Sequence, residues 1–261
     1  MKKLHWQDEW HILLTAVMFF TRIPIGKIPY SQELLHRSRK YFPLIGYVVA
    51  AASVCACFLS LKVWPPLLSV LLSCVVSILL TGGFHEDGWI DSCDSFGGGW
   101  TPEKILTIMK DSRIGSYGTI GFFFLVSLKI ASLYAILGLS RGLFLFAVLG
   151  AHTTSRFMAS CVAQNYDYVR DIDSSKSKPI ASAKLAVTEM LVSFAITLLP
   201  YLVLSNGKSV LLLLVNVPFV AYLAEYFKKH IGGYTGDCLG AVQQFSEVVF
   251  YLSVLALWKY I

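Results

Sequence analysis

Two stretches of this chain, Tyr41 to Leu61 and Val63 to Phe84, carry no charged residue at all, and only Lys62 separates them. A helix that is apolar on every face is buried either in a large core or in a membrane. The first option fails on composition. Charged residues make up 15% of the 261 residues, apolar residues 56%, and mean hydropathy is +0.62. A soluble domain carries about 25% charged residues, so this chain lacks the side chains to cover a water-facing surface.

A membrane-crossing helix needs about 20 mostly apolar residues. Further stretches of that kind lie at about 118–139, 142–163, 183–205, 209–227 and 241–260, giving seven spans. Glu247 interrupts the last. Ile12 to Thr21 is too short to cross and ends at Arg22-Ile23-Pro24, so it reads as an interfacial or re-entrant helix. The expectation is an all-α, polytopic integral membrane bundle of about seven spans plus that N-terminal helix, forming one membrane-embedded catalytic domain over 1–261. The basic N-terminus is followed by a short apolar run without a small-residue cleavage site, so no removable signal peptide is expected. The six cysteines show no paired or zinc-type spacing.

The net charge of +6 does not point to nucleic acid, because the charge is sided. If the N-terminus and the 82–117, 164–182 and 228–240 loops share one face, that face and its flanks hold sixteen of the 22 Lys and Arg residues. The opposite face holds Lys62, Arg141, Lys208 and Lys259 and no carboxylate. The positive-inside rule makes the first face cytoplasmic, so the chain is expected in the cytoplasmic (inner) membrane with its N-terminus and chemistry facing the cytoplasm. Ionisable residues inside spans are functional candidates. Alternating helix directions put Arg156, Glu189, Glu225 and Glu247 near the cytoplasmic end, in a shared polar cavity, with Lys129 as the exception.

The most informative stretch is Gly82-Gly83-Phe84-His85-Glu86-Asp87-Gly88-Trp89-Ile90-Asp91-Ser92-Cys93-Asp94. Asp87, Asp91 and Asp94 are spaced i, i+4, i+7, so a helix puts them on one face, where like charges repel. A divalent cation removes the conflict, and oxygen ligands in small number suit Mg²⁺ or Mn²⁺ completed by substrate phosphate. Glu86 is an additional ligand candidate pointing off that face. The bland reading, an acidic solvated helix start, needs one or two acids and not three in register. After the glycines 97–99, Thr101-Pro102 starts a helix over about 102–111. It leads into Lys110-Asp111-Ser112-Arg113, where Lys110 and Arg113 suit phosphate oxygens and Asp111 suits a metal or an attacking hydroxyl. Basic residues there also serve as membrane anchors. A second glycine-rich loop, Gly232-Gly233-Tyr234-Thr235-Gly236-Asp237, could form a nest of backbone amides for an anion.

These stretches, with Phe20-Thr21-Arg22-Ile23-Pro24 and Tyr41-Phe42-Pro43-Leu44-Ile45-Gly46, occur in the order and spacing of the cobalamin synthase family, and the sequence resembles that family over nearly its whole length. The departures, Ser95 for a common glycine and Trp89-Ile90 for Leu-Ala, touch no proposed ligand. The resemblance implies a membrane-bound adenosylcobinamide-GDP ribazoletransferase. A hydroxyl of α-ribazole or its 5′-phosphate attacks the cobinamide-side phosphorus of adenosylcobinamide-GDP and releases GMP. On that reading Asp87, Asp91, Asp94 and Glu86 hold Mg²⁺, Asp111 or Asp94 is general base, and Lys110 and Arg113 steady phosphates. Gly232, Gly233, Gly236 and Asp237 complete the substrate site, with His152 and Arg156 reaching the same cavity; a satisfied interhelical histidine is the bland reading of His152. The implied partners are the two substrates and the lipid bilayer, with no nucleic acid, and a homo-oligomer is compatible with the sequence. Two rivals remain. A CDP-alcohol-type phosphotransferase would place an Ala-Arg pair after the first Asp-Gly, which is missing here. A cation or corrinoid transporter would show repeated halves.

Overall fold

The computed structural model describes residues 6–169, 183–203 and 209–260. The basic positions Lys2, Lys3, Arg170, Lys176, Lys178 and Lys208 lie outside the described residues. Among those described, regular structure is helical, and the β pairing is one isolated bridge between Tyr168 and Tyr234.

Helix α1 (Trp6–Phe20) is described over 15 residues, about 22 Å at 1.5 Å per residue, and is not among the described helices long and apolar enough to cross. It docks through Ile12, Ala16 and Phe20, one face at i, i+4, i+8. Ser31 caps the short α2 (Gln32–Ser38), and a 3₁₀ turn at Arg39–Tyr41 leads into α3 (Phe42–Ser60). Helix α4 (Pro66–Thr81) starts on a proline, whose missing N–H is harmless in the first turn. Leu67, Leu71, Val75 and Leu79 form an exposed stripe along it at four-residue spacing, an apolar face suited to lipid.

The second uncharged stretch does not continue as one span. Gly82 and Gly83 both take left-handed backbone, φ +70° and +71°, which costs an L-side chain about 1–2 kcal/mol per residue. The chain therefore turns through 91° between α4 and the acidic helix α5 (Phe84–Gly98). Helices α6 (Pro102–Ile108), α7 (Ser116–Leu139), α8 (Arg141–Asn165), α9 (Val187–Val203), α10 (Val210–Ile231) and α11 (Gly236–Leu257) follow.

Among the described residues, by length and apolarity together, Gln32–Ser60, α7, α10 and α11 can each cross a membrane, and the bent α4–α5 pair makes a fifth. The difference from seven has physical reasons. Helix α4 stops at 16 residues at the glycine elbow, and the 25-residue α8 is long enough but lined with buried polar groups such as His152, Thr154, Ser155 and Arg156; α9 is described over Val187–Val203. The result is still a polytopic membrane bundle. Helix α11 lies at its centre, packed on α5, α7, α8 and α10, while α3 joins α4 to α8. Lipid tails drive no apolar helix association, so membrane helices lean on packing and interhelical hydrogen bonds. Here Ser53 meets Ser73 (Oγ–Oγ 2.7 Å) between α3 and α4, and Tyr47 donates to the Ile196 carbonyl of α9 (2.8 Å). Ser246 of α11 donates to Asn216 of α10 (2.8 Å), and Thr154 meets the Tyr201 hydroxyl between α8 and α9.

Candidate active site

The expected helix through Asp87, Asp91 and Asp94 is present as α5, and three other motif stretches gather around it. Its first turn crosses the first turn of α11 so closely that a Cβ on Gly88 would stand 2.7 Å from the Asp237 carbonyl oxygen and 3.2 Å from the Gly240 Cα. The two glycines thus bring the loop before the last helix against the acidic helix. At the other end of α5, Asp94 reaches α7. Its Oδ2 accepts from the Gly115 N–H (2.7 Å) and its Oδ1 from the Gly118 N–H (2.8 Å), satisfying amides at the helix start. Side chains at Gly115 or Gly118 would collide with that carboxylate. The 109–115 linker is therefore tied to α5, and Thr235 touches it from the other side by donating to the Met109 sulfur (3.0 Å).

The acidic residues divide by environment. Asp87 is exposed, and among the described residues its carboxylate has no hydrogen-bond or ion-pair partner. Asp91 is half-buried. Glu86 is only 6% exposed and points off the aspartate face, as expected. Its Oε1 accepts from Gln244 of α11 (2.8 Å), while its Oε2 is buried with no partner among the described residues. Glu86 and Asp87 line a cavity of about 630 Å³ at the α4–α5 elbow, shared with Arg22, Thr81, Gly82, Gly83 and apolar side chains of α1 and α7. Among the described residues no three His, Cys, Asp or Glu side chains converge at metal-holding distances. The donor set at the elbow nonetheless fits Mg²⁺: carboxylate oxygens only, one of them buried and unpartnered, beside a cavity with room for a phosphate.

Several expected roles meet a different local geometry. Both oxygens of Asp94 are occupied in holding α7, so it enters the site as a tie between elements and is not turned toward the elbow cavity. Asp111 and Arg113 grip each other. The Arg113 Nε and Nη2 lie 3.0 and 2.6 Å from the Asp111 oxygens, and the Arg113 N–H adds a third bond at 3.1 Å. The guanidinium hydrogen bonds hold the Asp111 carboxyl down at about 2. Lys110 is exposed. In the second glycine loop the amides are partly spent. Gly232 is the left-handed C-cap of α10 (φ +83°) with its N–H on Lys228, and the Tyr234 N–H bonds the Asp167 carbonyl (2.9 Å). Gly233 lies flat against Asp167, and Gly236 opens α11 beneath the Thr235 cap. Glycines 97 and 99 serve packing, against the Tyr117 ring and Ile105.

His152 and Arg156 do not line the elbow cavity. They belong to a buried network whose hub is Glu247, 1% exposed. Glu247 Oε1 lies 2.9 Å from His152 Nδ1 and accepts from Arg156 (Nη1, 3.4 Å), its Oε2 pairs with Lys129 (2.8 Å), and Gln243 also donates to it. Lys129 further donates to Gln244 (2.6 Å), whose amide bonds Glu86. Lys129, set apart by helix direction in the sequence, is thus a central member. Glu189 and Glu225 lie elsewhere. Glu189 pairs with Arg37 (2.8 Å) beside the Glu9–Lys40 pair, and Glu225 accepts from Tyr166 (2.8 Å). Sequence reasoning passed over Gln243 and Gln244, although both sit within four residues of Glu247 on one helix. Arg22 was legible in the sequence only as a basic residue of the Phe20–Pro24 stretch.

The chain can be compared with known proteins on this footing. Relatives named adenosylcobinamide-GDP ribazoletransferase include one from Leptospira interrogans, 40% identical over 267 aligned positions covering 99% of both chains. Another, from Shewanella putrefaciens, is 40% identical over 251 positions, covering 96% of this chain and 95% of its own. No solved structure matches. The family profile described as cobalamin-5-phosphate synthase matches residues 12–256, and the chain belongs to that family.

Proposed function

We propose that this chain is itself an adenosylcobinamide-GDP ribazoletransferase acting in nucleotide-loop assembly of cobalamin. The observation that carries this reading is the end-to-end similarity to relatives of that name. The α5 carboxylates beside the elbow cavity supply the matching chemistry. The acceptor hydroxyl of α-ribazole, or of its 5′-phosphate, forms a new P–O bond at the cobinamide-side phosphorus. The P–O bond to the guanylyl group breaks, GMP leaves with the bridging oxygen, and the hydroxyl proton passes to a carboxylate.

Glu86, through its unpartnered Oε2, and Asp87 would hold Mg²⁺, with Asp91, one turn further along α5, turning to the ion as a third ligand; when bound, the ion would neutralise charge on the transferring phosphoryl group and the departing GMP. Asp94 fixes the linker carrying Lys110, Asp111 and Arg113 against α5. Asp111, held at about 2 by Arg113, is too weak a base while paired. A substrate phosphate that takes over the Arg113 guanidinium releases Asp111 to the ordinary carboxylate range, so that basicity arrives with the substrate. The reading puts α5 and the 109–115 linker on the cytoplasmic side of the inner membrane, supported by the sided Lys and Arg residues.

The test is product formation from adenosylcobinamide-GDP and α-ribazole 5′-phosphate by the protein in membranes, with and without Mg²⁺, for wild type and Asp91→Asn. The expected result is GMP release coupled to cobamide formation, lost on chelation and reduced roughly 100-fold or more in the variant. Activity that survives both treatments would sink the metal assignment. A folded protein releasing no GMP would sink the reaction.

A further inference from the structure

We propose that Arg22 receives a phosphate of the nucleoside-diphosphate-linked substrate in the elbow cavity, which the Glu86 and Asp87 side chains also line; this deepens the functional reading above and rests on it. Three observations lead there. First, the backbone around Arg22 is pinned. Its N–H donates to the Leu80 carbonyl at the end of α4 (2.7 Å). On one side of it the Thr21 hydroxyl donates to the Val17 carbonyl (2.7 Å), and on the other the Ile23 N–H donates to the Thr21 oxygen (3.2 Å). The end of α1 is thereby clamped to the elbow. Second, the side chain runs across Gly82, where a Cβ would collide with the Arg22 Nε. The glycine that makes the turn also leaves the channel in which the guanidinium lies. Third, Arg22 is exposed, lines the 630 Å³ cavity, and among the described residues its guanidinium has no hydrogen-bond or ion-pair partner.

A guanidinium and two carboxylates face one cavity without pairing with each other. That arrangement suits a ligand able to bridge opposite charges: a diphosphate, which gives one set of oxygens to a guanidinium and another to a carboxylate-held cation. Arginine is the side chain of choice because its planar fork can take two oxygens of one phosphate. An arginine serving only as a membrane-flanking charge would predict no change in substrate binding when neutralised.

The experiment compares wild type, Arg22→Gln and Arg22→Lys as detergent-purified full-length protein. It measures kcat and KM for adenosylcobinamide-GDP, and Kd for GDP with Mg²⁺ by calorimetry. Loss of a charge-assisted phosphate contact is expected to raise KM and the GDP Kd roughly 10- to 100-fold in Arg22→Gln, with kcat within about threefold. Arg22→Lys should fall between, since charge is kept and the fork lost. Thermal melting should match wild type because the side chain is exposed. Unchanged KM and GDP affinity, or a fall in kcat alone, overturns the Arg22 assignment and leaves the functional reading standing. A lowered melting point in both variants makes Arg22 a structural clamp and also overturns it. If wild type binds GDP but forms no cobamide, the functional reading fails while the GDP comparison still decides Arg22.

Discussion

Replacing Glu247 with leucine is the sharpest test of how this bundle is held together. Four formal charges lie in the network, the Glu86 and Glu247 carboxylates against the Lys129 ammonium and the Arg156 guanidinium, and with His152 as the neutral imidazole they balance. Glu247→Leu deletes the hub and leaves an excess positive charge among α5, α7, α8 and α11. Removing one partner of a buried pair costs about 3–5 kcal/mol, because the other charge stays desolvated. Lys129→Met leaves the opposite excess and should cost a similar amount. The double variant restores neutrality while substituting apolar groups, and such replacements are often neutral or stabilising by about 1–4 kcal/mol. The two changes should therefore be strongly non-additive, with a coupling of at least about 2 kcal/mol. Reversible unfolding in mixed micelles, titrated with a denaturing detergent for the four proteins of the cycle, gives that coupling directly. Single effects that sum to the double within about 0.5 kcal/mol would refute the claim that Lys129 and Glu247 stabilise one another inside the bundle.

Two further predictions concern the motif face. Asp94→Ala should cost about 1–2 kcal/mol, the worth of a lost helix cap, and loosen the 109–115 linker; protection of the Gly115 and Gly118 amides against hydrogen exchange should fall, and unchanged protection would show that the cap does not hold. Asp111 gives a pH signature with a definite sign. Its pKa is depressed from 3.8 to about 2, so its pairing with Arg113 is fully formed above about pH 4 and is lost as pH falls toward 2. Carbon-13 carboxyl titration of wild type should show that low value, and Arg113→Gln should return it to the ordinary range. An ordinary value in wild type would remove the objection to Asp111 as a base in the unliganded protein.

How much of this was legible in the sequence depends on whether the decisive partner was near in the chain. The uncharged stretches announced the membrane, and i, i+4, i+7 spacing placed the three aspartates on one helix because that period is a local property. Thr101 capping α6 was legible for the same reason, with the Lys104 N–H on its hydroxyl at 3.3 Å. The elbow was not, although Gly82-Gly83 stood in plain view. Two glycines permit a left-handed pair but do not require it, and the close fit of Arg22 against Gly82 comes from sixty residues upstream. Nor was the division of labour among the carboxylates. Asp94 and Asp111 carry the same functional group as Asp87, yet their amide and guanidinium partners set them apart, and the amides at Gly115 and Gly118 are invisible to spacing.

The network explains why the acidic helix can work at all in such surroundings. Lipid tails are as apolar as leucine, so apolar packing alone sets little about how one membrane helix is rotated against another. Directional bonds do set it. Gln244 holds the Glu86 Oε1 at 2.8 Å and is itself held by Lys129 at 2.6 Å, which fixes the rotation of α5 about its axis relative to α7 and α11. With Glu86 turned inward, its neighbour Asp87 is carried to the exposed side and both border the elbow cavity. A one-residue rotation of α5 would carry Asp87, one methylene shorter, toward the place of Glu86 and break the Gln244 bond. The same bonds that neutralise the interior therefore aim the carboxylates, and a variant that breaks the Lys129–Gln244–Glu86 chain should disturb the site before it unfolds the bundle.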